Sequence, residues 1–200
     1  MNFNVAEIFK TIQGEGTLQG IPSVFIRLFG CNLKCVWCDT IYTNEYNSYD
    51  IMELDALLSQ VDKFMCHHVV ITGGEPLFNM GIIELTAKLK EKGYHITIET
   101  NGTIYKEVYC DLLSISPKLS GSVPLNLSKQ NQILYNTIRL NINTLKKMIN
   151  RYEYQFKLRI PLERNSLHAS AGRLSAPNRK FLSYTGLRMF LPFSSRRNAL

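Results

Sequence analysis

PSVFIRLFGCNLKCVWCDT, residues 22–40, joins two signals, and their junction decides the fold. Its first half, 22–30, is β-branched and aromatic and ends in glycine, the pattern of a strand. Its second half opens on a cysteine and sets Cys31, Cys35 and Cys38 at the spacing C-x3-C-x2-C. A strand running straight into a chemically equipped loop is the unit of a parallel sheet, where chemistry gathers at the C-terminal strand ends. The form recurs downstream. HHVVITGG (67–74) runs into a glycine pair, and HITIETNG (95–102) and DLLSISPK (111–118) end in polar or Gly/Pro turns. EYQFKLRI (153–160) is a further strand candidate.

Helical patterns separate these strands. Residues 51–65 bring Leu54, Leu57, Leu58 and Val61 together, with Glu53 and Asp55 near the start, where the helix dipole favours acids. Residues 79–92 end at Gly93, a C-cap, and 137–151 carry Ile138, Ile142, Leu145 and Ile149. Such alternation predicts an α/β protein with a mainly parallel sheet. It also puts four motifs on one rim: residues 31–40, 73–76, 99–102 and 116–118.

With 200 residues, 45% hydrophobic and 20% charged, the chain is sized for one cored domain, and its composition excludes a disordered or collagen-like protein. No apolar run reaches the roughly 18 residues of a membrane span, and no basic segment followed by an apolar one opens the chain. The expectation is a soluble, cytoplasmic protein with no membrane partner. The net charge of +7 would suggest a polyanion, but residues 158–200 carry all of it; residues 1–157 hold 15 basic and 15 acidic groups. The body therefore gives no charge argument for nucleic acid.

Five cysteines, an odd number, with three of them crowded, point to a metal site rather than a disulfide framework. Three thiolates suit three corners of a four-iron cube and leave the fourth iron open for a ligand. The alternative is zinc completed by Cys66, His67 or His68. Cys66 and Cys110 otherwise read as small core residues, and His67, His68, His95 and His168 as structural.

The segment 7–40, EIFKTIQGEGTLQGIPSVFIRLFGCNLKCVWCDT, with TGGEP, ETNG and SPK downstream, resembles the radical S-adenosylmethionine superfamily. Trp37 before the last cysteine is part of that likeness. QGEG and the closing Cys-Asp-Thr narrow it to the 7-carboxy-7-deazaguanine synthase family, over about residues 3–157. The resemblance implies a partial parallel (β/α) barrel in which Cys31, Cys35 and Cys38 hold a 4Fe-4S cluster. The methionine moiety of S-adenosyl-L-methionine would take the fourth iron. Gly73, Gly74 and Glu75 would face its amino group, Trp37 and Asp39 its adenosyl part, and Ser116, Pro117 and Lys118 would form a second cofactor turn. For substrate, the resemblance implies Ile12, Gln13, Gly14, Glu15, Arg27 and Thr72. Arg27 suits a substrate carboxylate by bidentate pairing, and a charge inside the apolar VFIRLF, costly if unpaired, favours a ligand partner over a solvent-exposed setting. Thr40 matches a magnesium (Mg2+) position that substrate oxygens would have to complete. The ETNG motif would shape the pocket without a catalytic role.

The implied reaction converts 6-carboxy-5,6,7,8-tetrahydropterin to 7-carboxy-7-deazaguanine and ammonia through a 5′-deoxyadenosyl radical. A flavodoxin-like reductant and a homodimer are implied with it. From about residue 158 the sequence departs from the family: rich in Arg, Ser and Pro, without a clear period, it reads as an atypical basic tail (158–200) after a core domain (1–157). An altered reading frame or a replaced C-terminus would produce such a change, and the last strand edge would then need cover from the tail or a second subunit. Three other readings stay open at this point: a glycyl-radical-type activase, an inactive iron–sulfur-binding remnant, and a nucleic-acid binder using the tail.

Overall fold

The computed structural model describes residues 1–44 and 48–159, together with two short strands at 182–183 and 188–192. The chain opens with β1 (Asn2–Ile12) and β2 (Pro22–Leu28), then β3 (Asp50–Glu53), α1 (Leu54–Asp62) and β4 (His68–Gly73). It continues through α2 (Ile82–Glu91), β5 (His95–Thr100), β6 (Leu112–Ile115), α3 (Lys129–Arg139), α4 (Ile142–Arg151) and β7 (Tyr154–Arg159). The last two strands are β8 (Leu182–Ser183) and β9 (Arg188–Pro192). All nine strands form one sheet in the order β3-β1-β2-β4-β5-β6-β7-β9-β8.

The five central strands, from β2 to β7, are mutually parallel, with Ile26 opposite Ile71, Val69 opposite Ile96 and Ile98 opposite Leu113. These side chains are all within 1% of full burial, each contributing roughly 1.5–3 kcal/mol through the area it removes from water. Leu57, Val61, Leu85 and Leu89 of α1 and α2 are equally buried in the same core. This run is the parallel sheet that the alternation predicts, and it is consistent with the partial barrel that the resemblance implies.

The flanks differ from the expectation. β1 lies antiparallel between β2 and β3, and β9 lies antiparallel on β7. The link between β1 and β2 is only nine residues, too short for the crossover a parallel pair needs. β1 escapes a sequence reading because Asn, Glu and Lys interrupt its apolar residues; only Phe3 and Val5 are buried along it. The helix expected over 51–65 starts later, since the backbone of Asp50–Glu53 pairs with β1. The helix expected over 137–151 is two. Asn141 breaks it by turning its side chain to accept from the Thr144 N–H, which caps α4. α3 begins earlier, capped by Ser128 on the Asn131 N–H, and none of its residues is buried, so it shows no core stripe to read. β9 supplies backbone partners to the β7 edge. Residues 160–181, with His168 among them, 184–187 and 193–200 lie outside the described residues.

At the opposite end of the parallel strands from the motifs, His68 is buried, its Nδ1 2.8 Å from Ser23 Oγ and its ring stacked on His95 at 4.4 Å. Burial first, and the neighbouring His95 second, push His68 down to about 4. The unfolded chain, with an ordinary histidine near 6.5, then binds a proton that the native state refuses. Stability is therefore full above about pH 6.5 and falls as the pH drops toward 4, by an expected ~2 kcal/mol. Urea unfolding from pH 7 to 4 checks this, with His68→Gln showing a flatter pH dependence than the parent chain.

Candidate active site

The motifs meet because the ends of β2 and β4 are stapled together. Gly74 N–H donates to the Leu28 carbonyl at 3.2 Å, and Glu75 N–H to the Gly30 carbonyl at 2.9 Å. Gly73 sits at φ +147°, and a Cβ there would run into the Leu28 carbonyl; one on Gly74 would strike Gly30 and Cys31. Only glycines allow the cysteine loop to lie this close to the turn after β4.

β5 adds a third tie. The Glu75 carboxylate is buried and accepts from Leu77 N–H (3.0 Å), Thr100 Oγ1 (2.7 Å) and Asn101 N–H (2.6 Å). The Asn101 side chain donates to Asn32 Oδ1 at 3.0 Å and stands 4.0 Å from the Cys31 sulfur. On the far side, Gln155 of β7 accepts from the N–H and hydroxyl of Thr17 and donates to Ser114 Oγ. Gly16, at φ +78°, leaves room for that amide, which a Cβ would displace. Gln155 thereby anchors the QGEG loop.

A cavity of about 480 Å³ opens at this rim. Its wall contains Cys31, Cys35 and Cys38, Trp37 and Asp39, Thr40, Gly73 and Gly74, Ser116 and Lys118, and also Gln13, Gly14, Glu15, Arg27 and Thr72. Three residues named from the sequence are elsewhere. Ile12 is 61% exposed and lies off the wall. Pro117 is buried and does not line the cavity. Glu75 is 1% exposed and spends its oxygens on the three donors above, so it braces the turn instead of presenting a carboxylate to the cavity.

The zinc alternative fails on position. Cys66 and His68 lie at the N-terminal ends of the parallel strands, where the Cys66 sulfur contacts the Pro22 carbonyl, whereas Cys31–Cys38 follow the C-terminal end of β2. Among the described residues no three His, Cys, Asp or Glu side chains converge on a single ion. Thiolates on separate corners of a cube stand farther apart than ligands of one ion, so the three thiols on one cavity wall fit a cluster. Burial pushes the Cys31 thiol up to about 12 and raises Cys35 as well. Such thiols become thiolates only against a strong positive centre, which a bound metal supplies.

Trp37 donates its indole N–H to the Gly121 carbonyl at 2.9 Å. Its ring has Lys118 Nζ at 5.4 Å and the Arg159 guanidinium at 4.6 Å. Lys118 also donates to Ser116 Oγ at 2.8 Å, and burial lowers its pKa. Arg27 has a partner within the protein: Glu7 across the β1–β2 pair, 2.9 Å from its Nε, which also accepts from Tyr42. The apolar strand pointed to a ligand as the partner of this charge; the structure supplies a protein carboxylate, and the guanidinium keeps further donors for a ligand.

Sequence reasoning gave Glu99 only a shaping role. It lines the cavity, and its two oxygens take hydrogen bonds from Gln13 Nε2 (3.4 Å) and Thr72 Oγ1 (3.1 Å). Glu99 therefore joins two of the residues expected at the substrate. Lys157 and Arg159 of β7 were also missed. Lys157 pairs with Glu15, and Arg159 donates to the Trp37 carbonyl. Both cations lie in the C-terminal half of that strand, and their charge was the one available signal.

A profile of the Radical SAM superfamily matches residues 25–123. The 7-carboxy-7-deazaguanine synthase of Buchnera aphidicola is 32% identical over 82% of this chain and 87% of its own length. That of Halobacterium salinarum is 45% identical over 60% of this chain and 47% of its own, and that of Rhodopirellula baltica 45% over 72% and 57%. The chain thus spans about half the length of several curated relatives it matches. The crystal structure of QueE from Escherichia coli superposes with a TM-score of 0.56 at 27% identity, covering 79% of this chain and 84% of that one. Matched at 32% identity over 87% of the length of the Buchnera enzyme and by the superfamily profile, the chain belongs to the 7-carboxy-7-deazaguanine synthase family of the radical SAM superfamily.

Proposed function

We propose that this chain is a lyase that converts 6-carboxy-5,6,7,8-tetrahydropterin to 7-carboxy-7-deazaguanine and ammonia, a step of queuosine and 7-deazapurine synthesis. The observation that carries the reading is the single cavity whose wall joins the three cysteines to Gln13, Arg27, Thr72 and Glu99. The superfamily implies a 4Fe-4S cluster and S-adenosyl-L-methionine, which supply one-electron radical chemistry when bound.

The chain's own residues divide the remaining work. Cys31, Cys35 and Cys38 hold the cluster. The backbone of Gly73 and Gly74, with Ser116 and Lys118, receives the methionine end of the cofactor, and Trp37 and Asp39 border its adenosyl end. Arg27, steadied by Glu7, takes the substrate carboxylate through its fork of donors. Glu99, held between Gln13 and Thr72, presents an acceptor to the amino and ring N–H groups of a pterin. Thr40 offers one hydroxyl, with Asp39 in the same wall, so magnesium fits only where substrate oxygens and waters complete its shell.

The reading includes a flavodoxin-like electron donor, a homodimer and a cytoplasmic setting. No helix among the described residues is long and apolar enough to cross a membrane. It also includes a core over residues 1–157 and an atypical tail over 158–200, whose origin in a shifted frame is tested by sequencing the coding region. Anaerobic reconstitution followed by incubation with S-adenosyl-L-methionine, dithionite, magnesium and the carboxylated pterin tests the activity. The expected result is the deazaguanine acid, with ammonia in equal amount. A chain that loads iron but leaves S-adenosyl-L-methionine intact is the inactive remnant, and the proposal falls.

A further inference from the structure

We propose that Tyr135 is a positioning residue for electron uptake: its hydroxyl hydrogen-bonds the Cys35 sulfur and makes a cluster held there easier to reduce. The inference rests on the cluster-binding reading above. α3 is an unusual place for a group that reaches this site. It has no buried residue, and Ile133, Leu134 and Ile138 on it are exposed. Helices of this length are held by packing of an apolar face, and that source is missing here. Two polar contacts tie α3 to residues of the cavity wall. The Tyr135 hydroxyl lies 3.2 Å from Cys35 Sγ, and Arg139 Nη1 donates to the Lys118 carbonyl at 2.8 Å.

The three sulfurs are not equally served. Cys31 accepts the Leu33 backbone N–H at 3.4 Å, with Asn101 Nδ2 at 4.0 Å. Cys38 has the Thr40 hydroxyl at 3.8 Å. Tyr135 gives the shortest of these contacts, across 100 residues of sequence. Hydrogen bonds to cluster sulfurs are one of the levers that set reduction potential. Reduction adds one electron from the donor and moves no atom. The added negative charge falls partly on the thiolate sulfurs, so an O–H aimed at one of them stabilises the reduced state more than the oxidised state. The phenol keeps its proton throughout.

The test uses the full chain, reconstituted anaerobically with iron and sulfide, and reads the cluster's midpoint potential by EPR-monitored titration with dithionite. Tyr135→Phe keeps the ring and removes only the donor. The expected result is unchanged iron content with a more negative potential. At a fixed poise the reduced-to-oxidised ratio should fall about tenfold, equivalent to about 59 mV for one electron. Thr40→Val, which removes the longer contact, should shift it less. Monofluorotyrosine at position 135, a stronger donor of nearly the same shape, should shift it the other way, and it serves if the Phe variant folds poorly. Equal potentials in the parent, Phe and fluorotyrosine chains overturn the role of Tyr135. Absence of any cluster in the parent chain overturns the underlying reading instead.

Discussion

Replacing any one of Cys31, Cys35 or Cys38 with alanine is expected to abolish both iron loading and turnover while the fold survives. Each thiol belongs to a rim loop, not to the core formed by Ile26, Ile71, Ile98 and Leu113. The three side chains are only partly buried, and none is in a disulfide. Losing one removes a third of the protein's grip on a cluster whose fourth corner must stay open, and two thiolates do not suffice. The iron bound after reconstitution should fall to background, and cleavage of S-adenosyl-L-methionine should fall more than a thousandfold, about 4 kcal/mol or more in barrier terms. The free energy of unfolding in urea should change by no more than about 1 kcal/mol, as for other substitutions outside a core. Cys66→Ala and Cys110→Ala are the controls. Both should retain iron, since Cys66 lies at the other end of the strands and Cys110 precedes β6, its thiol pushed up to about 12 by burial. A Cys31→Ala chain that still loads iron and cleaves the cofactor would refute the assignment.

Glu75→Gln should be nearly as damaging, but through stability. All three groups that face the carboxylate are donors: Leu77 N–H and Thr100 Oγ1 on one oxygen, Asn101 N–H on the other. Burial raises the pKa of Glu75, and the three donors work against that rise. A glutamine must turn its NH2 toward either the backbone N–H of Asn101 or the pair on the other oxygen. In both orientations a buried donor meets a donor, at an expected cost of about 3 kcal/mol. Because Asn101 also reaches Asn32 and the Cys31 sulfur, the loop of the cysteines should loosen with it. The measurable outcome is a lowered urea midpoint in the unloaded chain, where no cofactor is present. If Glu75 instead faced the cofactor amino group, the substitution would leave that midpoint unchanged and weaken only S-adenosyl-L-methionine binding. The two results are readily told apart.

The GGEP turn shows the difference between what is local and what is not. Its glycines are demanded by the backbone itself: Gly73 at φ +147° and Gly74 against the Gly30 carbonyl leave no space for a side chain, and the one-letter sequence records that demand. The direction of the adjacent Glu75 carboxylate is recorded nowhere in the turn, because it depends on Thr100 and Asn101, 25 and 26 residues away. Arg27 gives the same lesson. Its apolar strand pointed to a ligand as the partner of the charge, whereas the fold supplies Glu7, which β1 brings beside β2.

The sequence by itself determined the order of strands and helices through the parallel run, the side of the sheet on which the motifs gather, and the cysteine triad, because hydrophobic period, glycine turns and ligand spacing are properties of neighbours along the chain. Only the tertiary structure decided the antiparallel flanks, the brace at Glu75, the seat of Glu99 between Gln13 and Thr72, and the reach of Tyr135 to Cys35. Each of these is a pairing between segments distant in sequence, fixed by which surfaces the folded sheet brings within hydrogen-bonding distance, and no local pattern of residues encodes it.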